Sequence, residues 1–134
     1  MLARLCGQLG YPSSGEAVAR RLGNLAGRSD HFVLVAAAGD EPIGWVHAFV
    51  AHRLESGPFV EVGGMVVSQP HRGRGVGTAL LARAERWARR QGVKIIRLRS
   101  NVVRERTHEF YADKGYAKTK TSFLFEKELR RDAG

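Results

Sequence analysis

A chain of 134 residues, 43% hydrophobic and 26% charged, is long enough to bury one core and too short for two. Lys and Arg number 22 against 13 Asp and Glu, a formal charge of +9; that excess invites nucleic acid, yet it scatters from Arg20 to Arg131 with no aromatic-rich RNA-binding signature interleaved. No apolar run reaches the roughly 18 residues that span a membrane, no basic-then-apolar signal opens the chain, and the lone Cys6 excludes an internal disulfide and fits a cytoplasmic setting.

Leu2, Leu5, Cys6 and Leu9 predict a first helix that stops at Gly10-Tyr11-Pro12, with Cys6 a buried thiol on its apolar stripe. Ser13-Ser14-Gly15-Glu16 reads as a capping box opening a second helix, whose stripe is Val18, Leu22 and Leu25 and whose end lies near Gly27. Phe32 to Ala38 is a buried strand, Gly39-Asp40-Glu41-Pro42 a turn, and Ile43 to His52 a returning strand, so a hairpin is expected. Glu55 to Pro58 reads as a loop before a strand from Phe59 to Val67, in which Gly63-Gly64 favours a bulge. Leu80, Leu81, Ala84, Trp87 and Ala88 make the stripe of a further helix ending near Gly92. Val93 to Ser100 follows as a strand and Arg104 to Lys114 as a helix capped by Gly115. Tyr116 to Lys120 and Ser122 to Leu129 are expected to pair as a closing hairpin.

The segment from Met65 to Thr78 is the most informative: an apolar strand runs into a basic, glycine-punctuated turn that opens a helix. Helix N-termini carry unpaired N–H groups and partial positive charge, so such a turn suits a pyrophosphate. Glycine permits close backbone approach to the anion, and Arg72 and Arg74 add charge-assisted donors. A P-loop would need Lys-Ser/Thr after its second glycine, and a dinucleotide fingerprint a third glycine where Thr78 stands.

The pattern Arg72-x-x-Gly75-x-Gly77 resembles the acyl-CoA loop of the GNAT superfamily of N-acetyltransferases, and the order of elements from the first helix onward resembles that fold along nearly the whole chain. The resemblance implies a single α+β domain over residues 1–134, a mixed and mostly antiparallel twisted sheet flanked by helices. The strand with which such proteins usually begin is missing. Either the start is truncated or the sheet exposes an edge for a partner to cover, as in a homodimer. The stretches 100–104 and 107–116 are similar to small bacterial members such as aminoalkylphosphonate and aminoglycoside N-acetyltransferases.

By the same resemblance acetyl-CoA is the co-substrate and the acceptor is a primary amine of a small molecule. Arg72, Gly73, Arg74, Gly75, Val76, Gly77 and Thr78 hold the pyrophosphate; Met65, Val66 and Val67 pair with the pantetheine arm, Val67 N–H polarising the thioester. Glu61, six residues before Val67 and flanked by Phe59, Val60 and Val62, aligns with the glutamate base of histone-acetylating members. Tyr111 matches the tyrosine that protonates the departing thiolate. Arg104 and Thr107 replace the usual Asn-x-x-Ala of this helix, leaving Asn101 as the substitute cofactor contact. His47, His52, His71 and His108 are weaker candidates, and no ligand spacing suggests a closed metal site. Two rival classes stay open: a regulatory module that binds CoA without turnover, and a basic nucleic-acid-binding domain.

Overall fold

The computed structural model describes residues 15–99 and 105–130, and the chain divides into two compact units, residues 1–99 and 100–134. In the first unit, α1 (Gly15–Leu25) leads to β1 (His31–Ala38), β2 (Glu41–Arg53) and β3 (Ser56–Val67), then to α2 (Val76–Arg90) and β4 (Ile96–Leu98). The strands form one sheet in that order, with β1–β2 and β2–β3 antiparallel and β3–β4 parallel. This is the mixed α+β architecture expected from the sequence. The first helix expected at Leu2–Leu9, Cys6 and the Ser13 cap lie outside the described residues.

Local chemistry explains the turns. Ala38 pairs with Glu41, so Gly39-Asp40 is a two-residue hairpin turn, and Gly39 takes φ +61°, which glycine adopts without a Cβ clash. The loop expected at residues 55–58 is shorter: only Leu54-Glu55 turns, and Gly57-Pro58 already belong to β3. Pro58 has no N–H for a ladder. It is tolerated because the β2–β3 register is irregular between Ala51 and Arg53, and β4 joins β3 only from Val60.

The core lies between the sheet and α2. Leu80, Leu81, Ala84 and Ala88 are buried on the helix, and Val46, Ala48, Val60 and Val62 on the strands beneath it. Trp87 stacks on Phe32 at 5.5 Å, fastening β1 to the helix. At Gly44 a Cβ would lie 2.9 Å from the Val66 carbonyl oxygen and 3.3 Å from Leu80 Cδ1, so this glycine sets how closely helix and sheet approach.

In the second unit, α3 (Glu105–Asp113) is followed by residues 116–130 in neither helix nor strand. The closing hairpin expected there is absent. Its arms would meet at Lys118-Thr119-Lys120-Thr121-Ser122, which holds no Gly, Asn, Asp or Pro to set the turn.

Candidate active site

β3 offers a free edge where the sequence places the cofactor arm. Ser68 N–H donates to the Ile43 carbonyl at 2.7 Å, which makes Gly44–Val67 a non-hydrogen-bonded pair of the antiparallel ladder. The N–H and C=O groups of Val67, and of Met65 two residues earlier, therefore point away from β2. On that side β4 pairs only with Val60–Val62, and no described strand covers residues 63–67. The expected bulge stands at the divergence: His47 pairs with Gly64 and Ala48 with Val62, leaving Gly63 as the surplus residue.

A 3-10 turn, Gln69–His71, carries β3 into the loop. Arg72 Nε donates to the Val67 carbonyl at 3.0 Å, which joins the loop to the strand end. Gly73 and Gly75 take φ +78° and +84°, the left-handed region, and Gly75 is the N-cap of α2 with no side-chain cap bond. Ala79 N–H donates to Gly75 C=O at 3.0 Å, the first bond of the helix, so the N–H groups of Val76, Gly77 and Thr78 form its open positive end. Nothing lies within 4 Å of a Cβ built on Gly73 or Gly75. That open space beside free donors and the exposed Arg74 fits a pyrophosphate, which an added side chain would obstruct. The residues present suit acetyl-CoA.

Glu61 lies on β3 beside Phe49 of β2 and Arg97 of β4. Its side chain is 19% exposed, and Arg99 Nε approaches its carboxylate at 3.8 Å from a side chain that is 62% exposed. Such a half-solvated pair is worth about 0–1 kcal/mol. The guanidinium lies beside the carboxylate without sequestering it. Arg99 was not legible as a partner, because only the parallel β3–β4 register brings it beside Glu61.

Tyr111 belongs to the second unit, in the last turn of α3. Gly115 takes φ +88°, its N–H donates to Ala112 C=O at 3.1 Å, and Tyr116 N–H reaches back to Tyr111 C=O at 3.0 Å. These are the paired bonds of a Schellman cap, and the Tyr111–Tyr116 ring contact (5.9 Å, edge-on) is the apolar contact that accompanies it. Phe110 flanks Tyr111 at 5.5 Å. The cap therefore fixes the Tyr111 ring. Asn101 lies outside the described residues.

The sheet face that carries Glu61 also holds a pair that sequence spacing did not reveal. His31 Nδ1 and His47 Nε2 share a hydrogen bond of 2.9 Å, with the rings nearly parallel at 16° and Phe49 stacked beside His31 at 5.6 Å. Burial lowers the His47 pKa below the ordinary value, and the charge of His31 lowers it further. His47 was a weak candidate by sequence and His31 was none, since they are 16 residues apart.

Comparison with known proteins follows this geometry. Residues 4–116 match the family described as Acetyltransferase (GNAT) family. The chain is similar to the aminoalkylphosphonate N-acetyltransferase of Salmonella typhimurium, 33% identical over 107 residues, which span 79% of this chain and 68% of that protein. It is 36% identical over 77 residues to the uncharacterized N-acetyltransferase YhdJ of Bacillus subtilis, spanning 57% of this chain and about half (53%) of that one. Among solved structures it superposes on AAC(6')-Iy in complex with the bisubstrate analogue CoA-S-monomethyl-acetylneamine, with TM-score 0.83, 20% identity and coverage of 96% and 90%. A GNAT family acetyltransferase of Staphylococcus aureus superposes with TM-score 0.76 at 24% identity, covering 94% of this chain and 87% of that one. At these identities the two structures show the fold.

Proposed function

The chain belongs to the GNAT family of acetyltransferases, and we propose that it moves an acetyl group from acetyl-CoA to a primary amine of a small molecule, by direct transfer in a ternary complex. One observation carries the reading. The outward N–H and C=O groups of Met65 and the outward N–H of Val67, whose carbonyl Arg72 Nε engages, lead through the Gln69–His71 turn to the left-handed glycines and open helix end of the Arg72–Thr78 loop. A strand edge that can pair with amides thus adjoins an anion cradle, which is what a pantetheine arm ending in a pyrophosphate requires.

Acetyl-CoA supplies an activated thioester when bound. The protein's part is positioning and proton handling. Met65, Val66 and Val67 align the arm, and the Val67 N–H faces the carbonyl oxygen, where negative charge develops. Arg72, Gly73, Arg74, Gly75, Val76, Gly77 and Thr78 hold the phosphates. Glu61 removes the proton from the acceptor ammonium, and the phenol of Tyr111 protonates the leaving sulfur. Asn101 is the remaining cofactor contact assigned by sequence.

The names of the Salmonella relative and of the solved neighbours support a small polyamine-like or phosphonate-bearing acceptor. The +9 charge favours an anionic one. The scatter of those charges speaks against nucleic acid as the partner. A thiol-release screen with acetyl-CoA against aminoalkylphosphonates, aminoglycosides, polyamines, amino acids and peptide N-termini tests the reading. Acetylation of a phosphonate or aminoglycoside amine is expected. CoA binding without acetylation of any amine would instead make the protein a regulatory module.

A further inference from the structure

Resting on the reading of Glu61 as the base of an acetyltransferase, we propose that Arg97 and Arg99 clamp an acidic group of the acceptor. The acceptor class is then a small primary amine that carries a phosphonate or carboxylate two carbons from its nitrogen. The register places the parts. Val60 and Val62 are buried on the side of α2, so Glu61 between them points to the opposite face. β4 runs parallel to β3 with Arg97 directly opposite Glu61, so the two side chains share that face. Arg99, two residues on, returns to it and brings Nε to 3.8 Å from the Glu61 carboxylate.

The Arg97 guanidinium is supported from below. Its Cζ lies 4.0 Å from the centroid of the Phe59 ring, which is only 1% exposed. Contact with a ring face steadies a guanidinium without consuming its N–H donors. Arg97 itself is exposed, and among the described residues no carboxylate stands within ion-pair distance of it. Arg53 lies over the same ring at 5.5 Å, but Glu55 already engages it at 3.7 Å. Arg53, Arg97 and Arg99 thus surround the Phe59–Glu61 stretch, and Arg97 is the guanidinium there that no described acid balances.

Such a surplus suits an anion and discriminates by charge. A zwitterionic amine satisfies every group: its ammonium meets Glu61, and its acid meets the forks of Arg97 and Arg99. Neighbouring strands lie about 4.8 Å apart, close to the reach of an amine and an acid two carbons apart. A polyamine would bring several cations to a region rich in guanidiniums, and like charges there repel it. The cofactor does not compete for these groups. Its phosphates are assigned to the loop after the C-terminal end of β3, whereas Phe59 and Glu61 stand in the first half of that strand.

The test compares (2-aminoethyl)phosphonate, β-alanine, propylamine and spermidine as acceptors at saturating acetyl-CoA, for the wild type, Arg97→Gln and Arg97→Lys. The wild type should prefer one of the acidic amines over propylamine by at least about 10²-fold in kcat/KM, with spermidine poorest. The better of the two identifies the acid that the clamp holds. Arg97→Gln should raise KM for that acceptor about 10- to 100-fold, move kcat far less, and narrow its lead over propylamine. Arg97→Lys keeps a charge but not the fork, so it should fall between. A merely structural role over Phe59 would weaken all acceptors alike and lower Tm. Equal losses for amines with and without the acid, or a wild type that prefers propylamine or spermidine, would overturn the clamp and leave the acetyltransferase reading standing.

A second measurement needs no turnover. Calorimetric titration of (2-aminoethyl)phosphonate and of β-alanine into the wild type with CoA present should show binding of at least one, weakened by a similar factor in Arg97→Gln. If the wild type acetylates no amine while this difference holds, the acetyl-transfer reading fails and the anion clamp stands. Binding of neither acid, or binding that Arg97→Gln leaves unchanged, would overturn the clamp whatever the activity.

Discussion

Gly75→Val separates the loop's structural role from its binding role. Gly75 takes φ +84° with open space around its Cβ position, so valine meets no neighbour but is forced into the left-handed region. That strain costs about 1–3 kcal/mol, reduced by a few tenths to about 1 kcal/mol because the unfolded chain also loses freedom. Against a stability of about 5–15 kcal/mol the domain stays folded. At about 4 °C per kcal/mol for a chain of this size, Tm falls by no more than about 12 °C. Binding suffers more. The new side chain enters the space in front of the N–H groups of Val76 and Gly77, and each hydrogen bond lost to a charged phosphate is worth about 1.5–3 kcal/mol. Two such bonds lost weaken CoA about 10²- to 10⁴-fold. Calorimetric titration of CoA into the variant, after its melting curve has shown a cooperative fold, gives both numbers. Unchanged affinity in the folded variant would remove the assignment of this loop to the pyrophosphate, and with it the basis of the proposed function.

Three further outcomes are expected. Glu61→Gln should reduce turnover about 10²-fold or more and erase the acidic limb of the pH–rate profile while barely moving Tm, since its Arg99 partner is 62% exposed; near-normal steady-state turnover would pass the base role elsewhere. Tyr111→Phe keeps the ring that packs on Tyr116 and loses only the hydroxyl, so turnover should fall about 10- to 10³-fold with CoA affinity unchanged; full activity would make Tyr111 a packing residue of the cap. The lowered pKa of His47 gives stability a sign: below about pH 6.5 the unfolded chain takes up a proton that the folded chain refuses, so Tm should drop as pH falls through that range. In His47→Gln that part of the drop should vanish, and scanning calorimetry at several pH values decides it.

What was legible in the sequence is what depends on near neighbours. The strand–loop–helix around Gly75, the Gly39-Asp40 hairpin, the Gly63 bulge and the Gly115 cap all announce themselves within a few residues, because backbone conformation there is set by glycine. What was hidden depends on register. His31 meets His47 only because Val33, two residues along β1, pairs with His47. Arg99 reaches Glu61 only because β4 runs parallel to β3 with Arg97 opposite Glu61. Neither alignment is written in local spacing. The expected closing hairpin shows the reverse error: two arms were expected at 116–120 and 122–129, while the segment where they would meet carries no turn chemistry.

The surplus residue at Gly63 gives the sheet two lives along one strand. Just before it, Val60–Val62 have strand neighbours on both sides; beyond it, among the described residues, the same strand is a coastline. Removing one glycine would let the strand run straight, keep every later pairing with β2, and invite β4 to continue alongside. Such a deletion would make a more regular, better-paired and sturdier sheet with nowhere for a substrate arm to lie. On this view the capacity to bind resides less in any side chain than in one residue too many, an irregularity that selection for stability alone would erase.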